Sequence, residues 1–416
     1  MLDVYLFDRP IGVLSARGRG VRFQYAEAAV EDETSPALSL ALPKRHGPYP
    51  DSQAGPFFRN LLPEQAYRRL VAAAARARTE DSIEMLGAIG GECPGAVTLW
   101  PVGVRPPSEP SYRDLAPADV VDLFAGEGRA VLASAVARGR LSLPGVQEKI
   151  ALLRRTDGWA QPLNGAVTSH ILKLSATLYP GLLQNEVFCL ALARAAGLAV
   201  VRCEPAGEGV RALAVERFDR IAAGAPPGPA RRKLHQEDFC QLTATEPERK
   251  YEFDGGPGIR PCAAVIRRSS SLPADDLERL VRWVAFNYLV GNEDAHAKNL
   301  ALLYRDDGLR LSPHYDLLST EVYDALDRRL AMKIGGATEV RNVQRRDWER
   351  LAQAVQLPWP RVRLWLLETL QAVRDAVPVA RAEIAAMGDA AMAELVVEVV
   401  QRHGEQLERT LVRPGR

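Results

Sequence analysis

Three oxygen-bearing side chains set the chemistry open to this sequence. Asp294 and Asn299 stand five residues apart in the stretch NEDAHAKN, and Asp316 closes the stretch SPHYD a short way on. Moving a phosphoryl group onto a hydroxyl requires a carboxylate beside that hydroxyl, two oxygen ligands for Mg2+, and a cation on the nucleotide phosphates. Asp294 suits the first task as the base, and Asn299 and Asp316 suit the second. Lys173, in the apolar run HILKL, has the reach for the third. The cofactors implied are ATP and Mg2+. A metal hydrolase would carry more histidines near this loop. Asp and Asn are also common in solvated capping loops, but the succession of loop, strand, turn, strand and Asp316 favours the catalytic reading.

These side chains need elements to hold them. In DDLERLVRWVAFNYLVG the apolar positions Leu277, Leu280, Val281, Val284, Ala285, Tyr288 and Leu289 recur at three-four spacing, which predicts a helix that Gly291 can end in a left-handed conformation. The loop NEDAHAKN follows it. Strands LALLY and LRLSP, joined by the turn RDDG, then form a hairpin able to return Asp316 beside Asn299. Upstream, SLPGVQEKIALLRR, a TDG turn and SHILKLS read as hairpin strands behind a glycine-containing loop, and QNEVFCLALARAAG reads as a helix stopped at Gly197. Backbone N–H groups of Pro144-flanked residues Gly145, Val146, Gln147, Glu148 and Lys149 could cradle phosphates; an ordinary turn is the plain alternative. Strand VERFDR stands ahead of the proline-rich stretch AAGAPPGPA, where a hinge would offer its backbone to adenine. Residues 1 to 25 alternate apolar runs with turns as a small antiparallel meander, and the chain from DWERLAQAV onward reads as a helical bundle.

Length and composition bound the rest. At 416 residues the chain is long enough for two to three domains, and 47% hydrophobic with 25% charged residues describes an ordinary globular protein. A net charge of +1 supplies no global field to gather nucleic acid, so any DNA contact is local or made through a partner. Five scattered cysteines without a CxxC pair argue against a disulfide framework or a zinc site. The opening MLDVYLFDRP has no basic region before an apolar run, and no uncharged stretch reaches membrane-spanning length. A cytoplasmic protein with no membrane partner is expected.

The motifs LSLPGVQEKIALL, SHILKL, LAVERFDR, QEDFCQ, KYEFDGGPGI, GNEDAHAKN and SPHYDLLS, with FFRNLLPE and IGGECPGAVTLW nearer the start, resemble the HipA family in content and order across nearly the whole chain. The order Asp294, His296, Asn299 is also similar to the DxHxxN loop of phosphoinositide kinases. The HipA resemblance implies an α+β, kinase-like two-lobed fold, with an N-terminal β subdomain over 1–105, a nucleotide-binding lobe over 106–230 and an all-helical C-terminal lobe carrying the catalytic loop over 231–416. It implies Asp294 as catalytic base, Asn299 and Asp316 as Mg2+ ligands, and Lys173 on the phosphates. It implies further that Pro144, Gly145, Val146, Gln147, Glu148, Lys149, Glu216, Arg217 and Phe218 line the ATP site, with His296, Ala297, Lys298 and Tyr315 adjoining. Ser142 falls where family members autophosphorylate. The partners implied are a small helix-turn-helix, HipB-like antitoxin, DNA mainly through that antitoxin, and a protein substrate such as the glutamate-specific aminoacyl-tRNA synthetase. Arg341, Arg345 and Arg346 are the nearest match to a DNA-touching basic loop, against the plain alternative of an exposed helix face. Pro144 departs from the small residue of some members, which would stiffen the loop. The competing readings are a small-molecule or lipid kinase and a non-enzymatic corepressor; the presence of Asp294 and Asp316 weighs against the second.

Overall fold

The computed structural model describes residues 1–18, 20–77, 82–124, 129–145, 147–174, 179–206, 212–222, 231–385 and 390–412. The proline-rich stretch 223–230 and Val146 lie outside these. The chain divides into two compact units. Met1–Leu174, Arg211–Pro247 and Leu303–Arg305 form one; Ser175–Val210, Glu248–Leu302 and Asp306–Arg416 form the other.

In the first unit the N-terminal meander forms as expected. Leu2–Leu6, Arg9–Arg17 and Gly20–Tyr25 pair antiparallel in a sheet ordered Pro48–Tyr49, Gly20–Tyr25, Arg9–Arg17, Leu2–Leu6, Val97–Pro101. Leu2, Val4 and Leu6 alternate inward with buried Phe23 and Leu99, the period of two that a half-buried strand imposes. Helices Asp51–Arg59, Gln65–Ala74 and Ser82–Ile89 fill the connection before the last strand.

A second sheet in this unit carries Lys149 and Lys173. Within this unit its strands run in the order Ala212–Glu216, His170–Leu174, Lys149–Arg155, Gly158–Leu163, Ser111–Leu115. The turn after Arg155 leads into Gly158–Leu163, a strand the sequence reading passed over, and His170–Leu174 pairs on the opposite side of Lys149–Arg155. Four consecutive residues of Gly158–Leu163 are buried, so it lacks the alternation that marks a half-exposed strand.

In the second unit, Leu182–Ala195 is a helix followed by Gly197 at φ 83°, and Pro273–Val290 is the helix whose periodicity was plain in the sequence. The latter begins with Pro273 in its first turn and Asp275 and Asp276 near its N-terminus, both suited to unpaired N–H groups and a positive dipole end. Arg310 and Arg279 grip the buried Asp276, which fixes the helix start. Strands Ala301–Arg305 and Gly308–Leu311 follow the loop, and helices Arg345–Ala354, Trp359–Ala385 and Ala391–Val412 complete the C-terminal part. Leu366, Leu370, Val373, Val396, Val400 and Leu407 are buried, each such side chain stabilising the fold by about 1.5–3 kcal/mol. The α+β class matches the expectation. Among the described residues no helix is long and apolar enough to cross a membrane.

Candidate active site

Helix Pro273–Val290 delivers the catalytic loop. Gly291 ends it at φ 65°, a left-handed conformation that a residue with a Cβ adopts only with strain. The Gly291 carbonyl then accepts the N–H groups of Thr320 at 3.0 Å and Glu321 at 3.1 Å, so the segment after Asp316 hangs from the same point. Asn292 binds back to Asn287 at 2.8 Å and accepts the Asp294 N–H at 3.2 Å, giving the loop its shape. Glu293 donates its N–H to Thr320 Oγ1 at 2.7 Å. Burial pushes the Glu293 carboxyl up to about 7 against the pull of Thr320 and Arg328.

The expected oxygen pair is assembled. Asn299, on the short turn Ala297–Asn299, donates from Nδ2 to Asp316 Oδ2 at 3.0 Å, and its Oδ1 is buried with no hydrogen-bond partner. An acceptor buried without a donor costs about 1–3 kcal/mol unless something else satisfies it, and a hard cation takes oxygen ligands of this kind. The residues therefore fit Mg2+. Asp316 has φ 58°, a left-handed setting that Asp and Asn tolerate better than most residues. Tyr315 donates to the Lys298 carbonyl at 2.6 Å, tying the segment of Asp316 to the loop, and Ala297, Lys298 and His296 are all buried beside it. Tyr251, which the sequence reading did not single out, donates its hydroxyl to Asp294 Oδ1 at 2.7 Å.

The phosphate-side residues lie within the first unit. Lys173 is 7% exposed and stands directly opposite Lys149 across the antiparallel pair of strands. Gly145 has φ 107°, a backbone setting that favours glycine in the turn before Lys149. Its carbonyl accepts the Glu64 N–H at 3.1 Å, Tyr67 donates to the Lys149 carbonyl at 2.7 Å, and Gln147 donates to the Leu174 carbonyl at 3.2 Å. Pro144, Gln147 and Glu148 are half-buried around them. Ser142 is fully buried, with its hydroxyl on the Leu61 carbonyl at 2.7 Å.

Glu216 ends its strand opposite His170, and Phe218 is half-buried next to it. The side chain of Arg217 is buried. Its guanidinium is buried in an ion cluster, 3.1 Å from Glu92 and 2.8 Å from Asp219, and its N–H is on the Ser169 carbonyl. Glu92 also meets Arg220 at 3.1 Å and Lys233 at 3.2 Å and accepts the Thr168 N–H. Burial would raise the Glu92 carboxyl, but the field of Arg220, Lys233 and Arg217 outweighs it and holds the group at about 2. Elsewhere, Arg341 pairs with Glu339 at 2.6 Å and Arg345 with Glu349 at 2.9 Å, while Arg346 is exposed.

In the second unit Asp294 stands in the loop that leads to the Asn299–Asp316 oxygen pair, and in the first unit Lys149 faces Lys173; these are residue types on which phosphoryl transfer of kinase type draws. Comparison with known proteins narrows the class. A family model for the HipA N-terminal domain matches residues 2–100, and one for the HipA-like C-terminal domain matches residues 141–377. A Sinorhizobium fredii protein provisionally named kinase Y4mE is 35% identical over 388 residues, covering 91% of each chain. The serine/threonine-protein kinase toxin HipA of Shewanella oneidensis is 27% identical over 398 residues, covering 93% of this chain and 89% of that one. A chain from the solved complex of Shewanella oneidensis HipA, HipB and operator DNA superposes with a TM-score of 0.81 at 23% identity, covering 99% of this chain and 98% of that one, which establishes the shared fold. The chain belongs to the HipA family.

Proposed function

We propose that this protein is a serine/threonine protein kinase of toxin type that moves the γ-phosphate of ATP onto a protein hydroxyl. The observation that carries the reading is the Asn299–Asp316 pair with its buried, unpartnered Oδ1, five residues after Asp294. In this reading Asn299 and Asp316 hold Mg2+, which when bound neutralises charge on the transferring phosphate. Lys173 and Lys149 engage the phosphates, with the loop of Pro144, Gly145, Val146, Gln147 and Glu148 beside them, and Glu216 and Phe218 serve the adenine. Asp294 takes the proton of the acceptor hydroxyl. Tyr315 and the backbone of residues 296–298 keep the loop in shape.

By likeness to the Shewanella relative, whose solved complex contains HipB and operator DNA, we propose a small helix-turn-helix antitoxin as partner, with DNA reached mainly through it. The proposed substrate is a protein, with an aminoacyl-tRNA synthetase such as the glutamate-specific one as the expected class, and the proposed setting is the cytoplasm. Ser142 is the proposed site of autophosphorylation. The test is transfer of radiolabel from γ-labelled ATP to protein in lysate and to purified synthetases, with Asp294→Asn in parallel. Label on protein with wild type and at least hundredfold less with Asp294→Asn is expected; equal labelling by the two would refute the assignment.

A further inference from the structure

The stretch KYEFDGGPGI supplies none of the groups that phosphoryl transfer requires, yet the fold spends several constraints on delivering one of its side chains to Asp294. Tyr251 precedes the short turn Glu252–Asp254. Gly255 follows at φ 85°, and a Cβ at Gly256 would come within 2.1 Å of the Arg249 carbonyl oxygen and 2.8 Å of that of Tyr251. Only a glycine pair closes this turn. On its far side, Glu252 donates its N–H to the Ala331 carbonyl at 2.9 Å and its carboxylate accepts the Lys333 N–H at 2.7 Å. Ala331 in turn donates to the Glu293 carbonyl at 2.8 Å, next to the base.

The ring is held as firmly as the backbone. It stacks on Phe253 at 5.0 Å with planes 5° apart, the edge of His296 meets it at 5.5 Å, and Lys250 Nζ is 5.4 Å from its centroid. The hydroxyl of this fixed ring donates to Asp294 Oδ1 at 2.7 Å, a length typical of a charge-assisted O–H to carboxylate bond.

We infer that Tyr251 is a positioning residue for the base: it holds one oxygen of Asp294 so that the other meets the acceptor hydroxyl in a fixed orientation. The inference rests on Asp294 being that base. The end torsion of an aspartate is a broad, two-fold rotor, so without a partner the carboxylate samples orientations that do not face a substrate. In the transfer itself the acceptor proton passes to the second Asp294 oxygen, the acceptor oxygen bonds to the γ-phosphorus, and the bond from that phosphorus to the bridging oxygen breaks as ADP leaves. Tyr251 keeps its own proton throughout.

Tyr251→Phe keeps the ring and its stacking while deleting the hydroxyl. A misdirected base costs up to about a hundredfold in rate, so kcat is expected to fall about tenfold to hundredfold with KM for Mg-ATP within about twofold and a melting temperature lowered by no more than about 3 °C, the loss of one hydrogen bond. A merely structural tyrosine would move the melting temperature and KM together with kcat. Urea unfolding of Tyr251→Phe, Asp294→Ala and the double variant provides a readout independent of activity. If the bond is formed, the two effects on the unfolding equilibrium constant depart from simple multiplication by at least about threefold. A wild-type kcat in Tyr251→Phe, or a fall in kcat matched by a rise in KM, would overturn the inference, as would effects that multiply. An inert wild type with clear coupling would sink the kinase reading, and the role of Tyr251 in it, while leaving the Tyr251–Asp294 bond demonstrated.

Discussion

Replacing Glu92 by glutamine should melt the first unit early, and the size of the effect follows from the ion cluster. Glu92 is fully buried among Arg217, Arg220 and Lys233, and Asp219 is the second carboxylate paired with these arginines. The substitution leaves three buried cations to one carboxylate. Breaking a buried pair by removing one partner costs about 3–5 kcal/mol, since the remaining charge has lost its compensation. The carboxyl itself leads to a similar figure: its fall from 4.5 to about 2 on folding corresponds to about 3 kcal/mol in favour of the folded state at neutral pH. Because the folded value lies below the unfolded one, this contribution is complete above pH 4.5 and disappears as pH falls toward 2. For a domain of roughly 150–250 residues each kcal/mol moves the midpoint by about 2–4 °C, so Glu92→Gln should lower the first calorimetric transition by about 10 °C at pH 7 and by much less at pH 3. Adding Lys233→Met restores the charge balance and should recover part of the loss. A midpoint within about 2 °C of wild type at pH 7, or an equal drop at both pH values, would refute the reasoning.

Asp316→Asn should abolish phosphate transfer with a melting temperature close to wild type, whereas Asp316→Ala should also lose about 1 kcal/mol, because alanine tolerates φ 58° less well; circular dichroism melts beside a transfer assay separate the two. Saturating Mg-ATP at about a hundred times its Kd should stabilise the protein by about 2.7 kcal/mol, and Lys173→Ala should shrink that shift at the same nucleotide concentration in differential scanning fluorimetry. Mass spectrometry after ATP incubation should find phosphate on Ser142 in the wild type and none in Asp294→Asn. Since the hydroxyl is buried on the Leu61 carbonyl, it must leave that contact to react, and calorimetry should show weakened nucleotide binding by the modified form.

The chemistry of the loop was legible because it is local. Asp294 and Asn299 share one turn of chain, and the hairpin that brings back Asp316 is written in turn residues, so spacing alone foretold the 3.0 Å contact between Asn299 and Asp316. What escaped the sequence is assembled from distant segments. Nothing near Tyr251 announces a partner 43 residues away, although the paired glycines after it signalled a turn of unusual tightness. The place of Arg217 in VERFDR gives no sign of where its side chain goes. Its commitment to Glu92, 125 residues upstream, becomes visible only when the two segments are folded together. The facing of Lys149 and Lys173 likewise depends on strand register, which the missed strand Gly158–Leu163 had obscured.

The single carbonyl of Gly291 gives the two catalytic segments a shared suspension point. The loop with Asp294 leaves from it covalently, and the chain after Asp316 returns to it through Thr320 and Glu321. A displacement of the helix end would therefore be passed to the segments of Asp294 and Asp316 in the same sense. Substitutions in the surrounding bundle can drift without detuning the chemistry, provided position 291 stays free of a side chain; a Cβ there would press on Glu321 Cβ at 2.9 Å and drive the two segments apart. Helix-end glycines are usually regarded as mere stops. Here the stop acts as a pivot, and tolerance of the scaffold to sequence change is bought at that one residue.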